Sequence, residues 1–166
     1  MHFFIPLTSA FVAAVAAENT TFPPINLGRF SYPHGNQLVA FTYTPTTTQE
    51  VVEVCDTNGA IRGTATWTAV RVWNTYVFDP ICRHPFNITD DATNTTYYNL
   101  ELACVDDNIP ITAEPEVTAV VDRNANKTIE TCVPVPTYNG LGDAVSCSKY
   151  AGAGLQYQYA CVPPEA

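Results

Sequence analysis

Apolar side chains recur at every second position along much of this chain. Four runs show the pattern most clearly, at residues 39–43, 98–104, 117–121 and 155–161. One face of a β-strand repeats every two residues, whereas an amphipathic helix repeats every 3.6. Val52 and Val54 fit the same alternation, and no window of ten residues carries the helical period. The sequence therefore predicts an all-β fold.

Turn-forming residues separate these runs, at Asn58-Gly59 and within residues 122–127 and 138–143. About seven or eight short strands in one chain predict an antiparallel β-sandwich or β-barrel. We expect a single β domain at 38–166. Residues 18–37 contain several prolines, so we expect them to form an extended N-terminal arm outside the sheet.

An uncharged apolar stretch ends at Val15-Ala16-Ala17, small residues of the kind that signal peptidase accepts. Residues 1–17 are therefore predicted to be a signal peptide that is cleaved after Ala17, which makes the protein secreted and extracellular. Acceptor motifs of the Asn-x-Thr type agree with export and predict glycosylation at four positions: Asn19, Asn87, Asn94 and Asn126.

All six cysteines follow the predicted leader: Cys55, Cys82, Cys104, Cys132, Cys147 and Cys161. An even number in an oxidising compartment predicts three disulfides, so the domain should be disulfide-stapled. Six cysteines allow 15 connectivities, and the spacings do not choose among them. No pair has Cys-x-x-Cys spacing, so we expect no metal site and no cofactor.

The chain has 16 acidic and 7 basic residues, which gives a formal net charge of −9. Such a surface repels phosphate, so nucleic acid is not an expected partner. No apolar run after the leader approaches the length that spans a bilayer, so we expect no membrane partner either.

Few residues are candidates for catalysis. His84 follows Arg83 beside a cysteine, and Asp79 or Glu101 could supply a carboxylate. A small extracellular hydrolase of the ribonuclease or glycosidase type would need such groups to meet. No Gly-x-Ser-x-Gly motif nominates a nucleophile. Catalysis is therefore an alternative here, and a solvent-exposed loop histidine is the simpler interpretation.

Aromatic residues favour recognition instead. Tyr97 and Tyr98 are adjacent in a predicted strand, so one of them must face outward. Exposed tyrosines are common in recognition surfaces because they offer a large contact area at a low entropic cost. We take Tyr97, Tyr157 and Tyr159 as candidate binding residues.

The order of features resembles the Alternaria-allergen-type family of secreted fungal β-barrels. The features are the fungal-style leader, Leu27-Gly28-Arg29-Phe30-Ser31-Tyr32, residues 38–43, Val51-Val52-Glu53-Val54-Cys55, an aromatic segment before Cys82, Cys132, a Gly-rich turn, Cys147 and residues 155–159. The resemblance implies an effector or allergen that acts on plant hosts without established catalysis. It also implies the bridges Cys55–Cys82 and Cys132–Cys147, which leaves Cys104 to pair with Cys161.

Cys104 and Cys161 each end an alternating apolar face, so both sulfurs are expected to point into the core and to form a bridge.

Taken together, the leader, the aromatic residues and the resemblance predict a secreted fungal effector or elicitor that binds a host apoplastic protein or glycan. Two alternatives stay open: the hydrolase above, and a carrier that holds a small apolar ligand in the barrel mouth.

Overall fold

The computed structural model describes residues 22–33, 35–57, 64–72, 75–78, 81–90, 92–109, 113–137 and 140–164, with the backbone alone for 64–72 and 75–78. Its elements in chain order are β1 (Asn26–Tyr32), β2 (Gly35–Phe41), α1 (Thr48–Asp56), β3 (Thr64–Val72), β4 (Thr75–Phe78), β5 (Phe86–Asp90), β6 (Thr95–Cys104), β7 (Val117–Asp122), β8 (Lys127–Pro134), β9 (Val145–Ser146) and β10 (Gly154–Val162). The predicted leader at 1–17 lies outside the described residues.

The strands form one sheet in the order β4-β3-β2-β1-β10-β8-β7-β6-β5, and β9 pairs with β10. Every pair of named strands is antiparallel. The sheet curls until β5 lies beside β2 and β3, and the Thr42 hydroxyl donates to Asp90 Oδ1 at 3.1 Å near this seam. The predicted antiparallel, disulfide-stapled all-β fold is confirmed as a nearly closed barrel-like sheet.

The strands β1, β2 and β10 are buried on both faces. Leu27 and Ala40 point into the barrel interior, where they pack with residues of β6, β7 and β8. Phe41 and Tyr157 point the other way, into a second apolar cluster beneath α1. Gly28 allows β1 to approach β10 closely, because a Cβ there would lie 2.9 Å from Leu155 Cδ1. The helix therefore covers one outer face of the barrel.

The region expected to be a strand around Val52 and Val54 is a helix, so that prediction is wrong. Thr47 is the N-cap of α1, and a capping box joins its side chain to the Glu50 backbone and the Glu50 side chain to the Thr47 backbone. The Glu50 carboxylate also accepts hydrogen bonds from Thr46, and the bond from the Thr46 backbone is the largest cause that lowers the pKa of Glu50 to about 2. Val51 and Val54 are buried on one face of the helix. The spacing of two between Val52 and Val54 resembles a strand, and over so short a segment it conceals this helical face.

Residues 18–37 are not an arm outside the sheet where the structure describes them. Asn26–Tyr32 is a central strand, paired with β2 on one side and with β10 on the other. The prolines that suggested an arm stand at positions 23, 24 and 33, on either side of this strand. Prolines that flank a strand are compatible with a place in the middle of a sheet, because they remove no hydrogen bond of the ladder.

All six cysteines are paired as predicted, but every predicted bridge is wrong. The observed bridges are Cys55–Cys147, Cys82–Cys104 and Cys132–Cys161. Cys161 lies directly opposite Cys132 in the β10–β8 ladder. Cys82 is held near Cys104 by an isolated bridge to Leu102. A shared apolar face did not select the partners; strand register and adjacency did.

Among the described residues, no helix has the length and the apolar character that crossing a membrane requires.

Candidate functional site

An open pocket of about 440 Å³ lies where the turn after β1 meets the loop before β10. We call it the aromatic groove, and its lining residues are Phe30, Tyr32, Pro33, Lys149, Tyr150, Ala151 and Ala153. Phe30 and Tyr32 lie two residues apart on β1, so they share one face of the strand, and their ring centroids are 6.3 Å apart. Phe30 is buried, whereas Tyr150 is 48% exposed. The groove thus has an aromatic floor and an aromatic rim.

The loop that forms one wall of the groove is tied to its surroundings at several points. A disulfide joins Cys147 to α1, and the backbone N–H of Lys149 donates to Asp56 Oδ1 at 2.9 Å. Within the loop, Cys147 N–H donates to Ala153 O at 3.0 Å, and Ala153 N–H donates to Tyr150 O at 3.1 Å. The wall is therefore held in place by a disulfide and by three hydrogen bonds from backbone N–H groups.

The two walls touch at Gly152 and Pro33. Gly152 has φ of 76°, in the left-handed region that glycine adopts without strain. A Cβ at this position would lie 3.2 Å from Pro33 Cγ. The glycine thus permits both the turn of the loop and the close approach of the proline.

A second cluster contains two of the residues predicted for a hydrolase. Arg83 Nη1 donates to Glu101 Oε1 at 2.8 Å and Arg83 Nε donates to Asp107 Oδ2 at 2.7 Å. Arg123 Nε lies 3.1 Å from the other oxygen of Glu101. The bond to Asp107, and then the bond to Glu101, raises the pKa of Arg83. The Arg83 bond is also the main cause that lowers the pKa of Asp107.

This arrangement holds Glu101 but does not prepare it for catalysis. Its Oε1 accepts a hydrogen bond from Arg83 Nη1, and Arg123 Nε lies 3.1 Å from Oε2, so a guanidinium group stands at each oxygen that would have to take a proton from a substrate. His84 is exposed and Asp79 lies outside the described residues. The nearby sulfurs of Cys82 and Cys104 form a disulfide, so their grouping with Asp107 provides no thiolate for a metal.

None of the three predicted binding tyrosines is on an open surface. Tyr157 is buried, its hydroxyl donates to Asn26 Oδ1 at 2.6 Å, and burial raises its pKa to about 12. Tyr159 is half-buried, and its hydroxyl lies 3.4 Å from Pro115 O. Tyr97 packs against Phe22 with centroids 5.1 Å apart. Tyr157, which is only 2% exposed, is part of the core in this structure.

The exposed tyrosine of the adjacent pair is Tyr98, at 64%. Asn99 has φ of 58°, and the β5–β6 ladder shifts register here, so that Tyr98 and Asn99 together oppose Asn87. This β-bulge inserts one residue and reverses the alternation. Tyr97 therefore faces the core in the position that a regular strand would give to Tyr98.

The sequons that the structure describes are all at the surface. Asn87 lies on β5, and Asn94 and Asn126 lie in the turns after β5 and β7. The two turn residues have φ of 53° and 48°, a left-handed conformation that asparagine adopts more readily than most residues. Asn19 lies outside the described residues.

One buried acid escaped the sequence analysis. Glu130 on β8 is fully buried, and its Oε2 accepts a hydrogen bond from the Ile25 backbone at 3.0 Å. Its Oε1 has no partner among the described residues. Desolvation raises the pKa of Glu130 to about 8. The sequence places Glu130 between Ile129 and Thr131 in an alternating run, which gave no sign that the carboxyl faces inward.

No family model, curated protein or solved structure matches this chain.

Proposed function

We propose that this chain is a secreted fungal protein, effector-like or elicitor-like, that binds an extracellular host protein or glycan at the aromatic groove. One observation carries the proposal: an open groove with an aromatic floor and rim, built on a rigid and disulfide-bonded end of the barrel. Aromatic rings that are held in place contribute contact area at a low entropic cost.

Several features support secretion. Three disulfides in a domain of this size are typical of proteins that fold in an oxidising compartment. The small residues that end at Ala17 fit signal peptidase, and three acceptor asparagines are on the surface. N-terminal sequencing of secreted material should begin at Glu18 or within a few residues of it, and recovery of an intact Met1 from the medium would contradict export.

The hydrolase alternative has one supporting observation, the contact between Arg83 and Glu101. The second guanidinium on Glu101 argues against it, because a carboxylate bound at both oxygens is a poor general base. We expect His84→Ala to leave host-directed activity unchanged. Loss of activity in a folded His84→Ala protein would put the hydrolase first.

The carrier alternative would need an enclosed apolar cavity. The aromatic groove opens to solvent and has Lys149 and Tyr150 at its exposed side. This shape suits a partner that stays partly outside the protein, such as a loop of another protein or a sugar chain, better than a small ligand that must be hidden from water.

The test uses the glycosylated protein as bait against host apoplastic fluid and, separately, against a panel of plant cell-wall oligosaccharides. Tyr150→Ala removes the exposed aromatic rim, and Tyr98→Ala is its matched control, because it removes an exposed tyrosine elsewhere on the barrel. Since truncation of an aromatic residue that carries binding energy costs more than about 1 kcal/mol and often about 2 kcal/mol, we expect Tyr150→Ala to weaken binding at least about tenfold. Tyr98→Ala should leave it unchanged.

The two arms identify the partner class. Binding that appears in the fluid and survives glycan removal from the host material indicates a protein, and binding to an isolated oligosaccharide indicates a glycan. If Tyr150→Ala binds as tightly as the unchanged protein in whichever arm gives a signal, the groove is not the binding site.

A further inference from the structure

The described sequons gather at the end of the barrel away from the aromatic groove. Neighbouring strands are antiparallel, so the β1–β2 turn and the loop before β10 lie at one end, and the β5–β6 and β7–β8 turns lie at the other. Asn94 and Asn126 occupy those latter turns. We call this the sequon end.

Asn87 belongs to the same end through a chain of amide contacts. Its Oδ1 accepts a hydrogen bond from the Asn99 backbone at 2.9 Å. The Asn99 side chain donates in turn to Asn124 Oδ1 at 2.7 Å. Asn124 is in the β7–β8 turn, two residues before Asn126. These contacts therefore connect Asn87 to the β7–β8 turn, which carries Asn126.

Tyr98 is next to the acceptor on this surface. At the bulge, Tyr98 and Asn99 of β6 lie opposite Asn87 of β5. Both Tyr98 and Asn87 are exposed on the outer face of the sheet. At 64% exposure, Tyr98 presents most of its ring to solvent with no partner in the described part of the chain that covers it. An aromatic ring left in water beside an attachment point offers an apolar face to whatever is attached.

The chemistry of Asn87 fits attachment. Only Oδ1 is engaged among the described residues, and it accepts the N–H of the bulge. In N-glycosylation the bond forms from the amide Nδ2 to C1 of the sugar, Nδ2 loses a proton, and the C1–O bond of a lipid-linked pyrophosphate donor breaks as the pyrophosphate leaves. The carbonyl oxygen is not consumed, so the glycosylated side chain keeps its bond to the bulge.

We propose that Asn87 carries an N-glycan whose first sugar lies over the ring of Tyr98, and that glycans at Asn94 and Asn126 complete a covered sequon end. The proposal rests on the secretion in the proposed function and does not depend on what the aromatic groove binds. As a consequence, glycans at the three described sequons would cover one end of the barrel, and none of these three would cover the aromatic groove at the other end.

The test needs a chain in which Asn87 is the single sequon. Asn19→Asp, Asn94→Asp and Asn126→Asp provide it, and aspartate tolerates the left-handed turn positions of the latter two. The protein is expressed in a eukaryotic secretory host, and mass spectrometry of the purified product gives the occupancy of Asn87. We expect most of the secreted chains to carry a glycan there.

Treatment with two enzymes then distinguishes the effect of the first sugar on stability from the effect of the rest of the glycan. An endoglycosidase that leaves one sugar on Asn87 should leave the melting temperature unchanged. An amidase that removes the whole glycan should lower it by about 2–4 °C, the shift expected for the loss of one aromatic contact in a domain of this size. The amidase also converts Asn87 to aspartate, so the contribution of the sugar–ring contact is the part of this shift that is lost in a Tyr98→Ala background, whereas Tyr150→Ala, at the opposite end, should leave the full shift intact.

A direct measurement accompanies the melting curves. Nuclear Overhauser contacts between the Tyr98 ring protons and the first sugar are expected in the single-sequon protein. An unoccupied Asn87 on a secreted chain overturns the proposal, as does an equal shift with and without the Tyr98 ring. A chain that stays inside the cell without any glycan contradicts secretion as well. That outcome counts against the proposed function, whereas an unoccupied Asn87 on a secreted chain counts against the glycan proposal alone.

Discussion

Glu130 should contribute more to the stability of this protein in acid than at neutral pH. Its carboxyl is buried in the barrel interior with one hydrogen bond, from the Ile25 backbone, and with no charged partner among the described residues. Burial raises its pKa from 4.5 to about 8. The folded protein therefore takes up a proton that the unfolded chain releases above pH 4.5.

The sign follows from proton linkage. For an acid whose folded pKa is raised, stability is fully present below the unfolded pKa and is lost as the pH rises through the folded pKa. Since one pKa unit corresponds to 1.36 kcal/mol, the loss between pH 4 and pH 7 is at most about 3 kcal/mol. For a chain of this length each kcal/mol moves the melting temperature by roughly 2–4 °C, so the shift is on the order of 6–12 °C.

Glu130→Gln isolates this contribution. Glutamine keeps a carbonyl oxygen for the Ile25 N–H and removes the titration. Melting curves from pH 4 to pH 8 should show that the variant loses much less stability than the unchanged protein as the pH rises. Glu53→Gln, on the exposed face of α1, is the matched control and should follow the unchanged protein. If Glu130→Gln and the unchanged protein lose stability in parallel, the carboxyl is not protonated in the folded state.

Three further predictions concern the scaffold. Replacing Cys55 and Cys147 together by alanine opens a loop with a sequence separation of 92, and the chain-entropy model predicts that this lowers the free energy of unfolding by about 4–5 kcal/mol. Chemical denaturation should show a large part of this loss, and non-reducing peptide maps of the unchanged protein should join these two cysteines. Gly152→Ala forces a Cβ into the left-handed region and against Pro33, so it should cost about 1 kcal/mol in the same assay; a neutral effect would contradict the tight contact between the groove walls. Arg83→Gln removes an exposed ion-pair partner and should change stability by less than about 1 kcal/mol at neutral pH; a loss of several kcal/mol would show that the cluster is a structural core of the fold.

The alternation along the chain predicted the fold class because most strands have one face in the barrel interior. β7 and β10 were both anticipated from their apolar residues. The same rule failed at α1, where Val52 and Val54 imitate a strand over too few residues to distinguish the periods. Thr47 and Glu50, at capping-box spacing, were the local sign of a helix.

The disulfides and the exposed tyrosine depend on geometry that a one-dimensional pattern does not contain. Cys132 and Cys161 meet because of the register between two strands far apart in sequence. Tyr98 faces outward because Asn99 adopts a left-handed conformation and inserts a bulge. Alternation assigns a residue to a face only while the strand stays regular.

The aromatic groove was missed for a similar reason. Phe30 and Tyr32 come from a segment expected to be an arm, whereas Lys149 and Tyr150 come from a loop more than a hundred residues later. They meet because β1 pairs with β10 and because a bridge from α1 fixes the loop. Of the predicted hydrolase residues, Arg83 and Glu101 do meet, as the sequence analysis allowed.

The central claim is that a partner binds at the groove end of the barrel. Its most direct test is to record backbone amide NMR spectra of the protein while the captured partner is titrated in. Perturbed signals should concentrate at residues 30–33 and 149–153 and should saturate together. Perturbations centred on Arg83 and Glu101, or on Tyr98 at the opposite end, would contradict the claim.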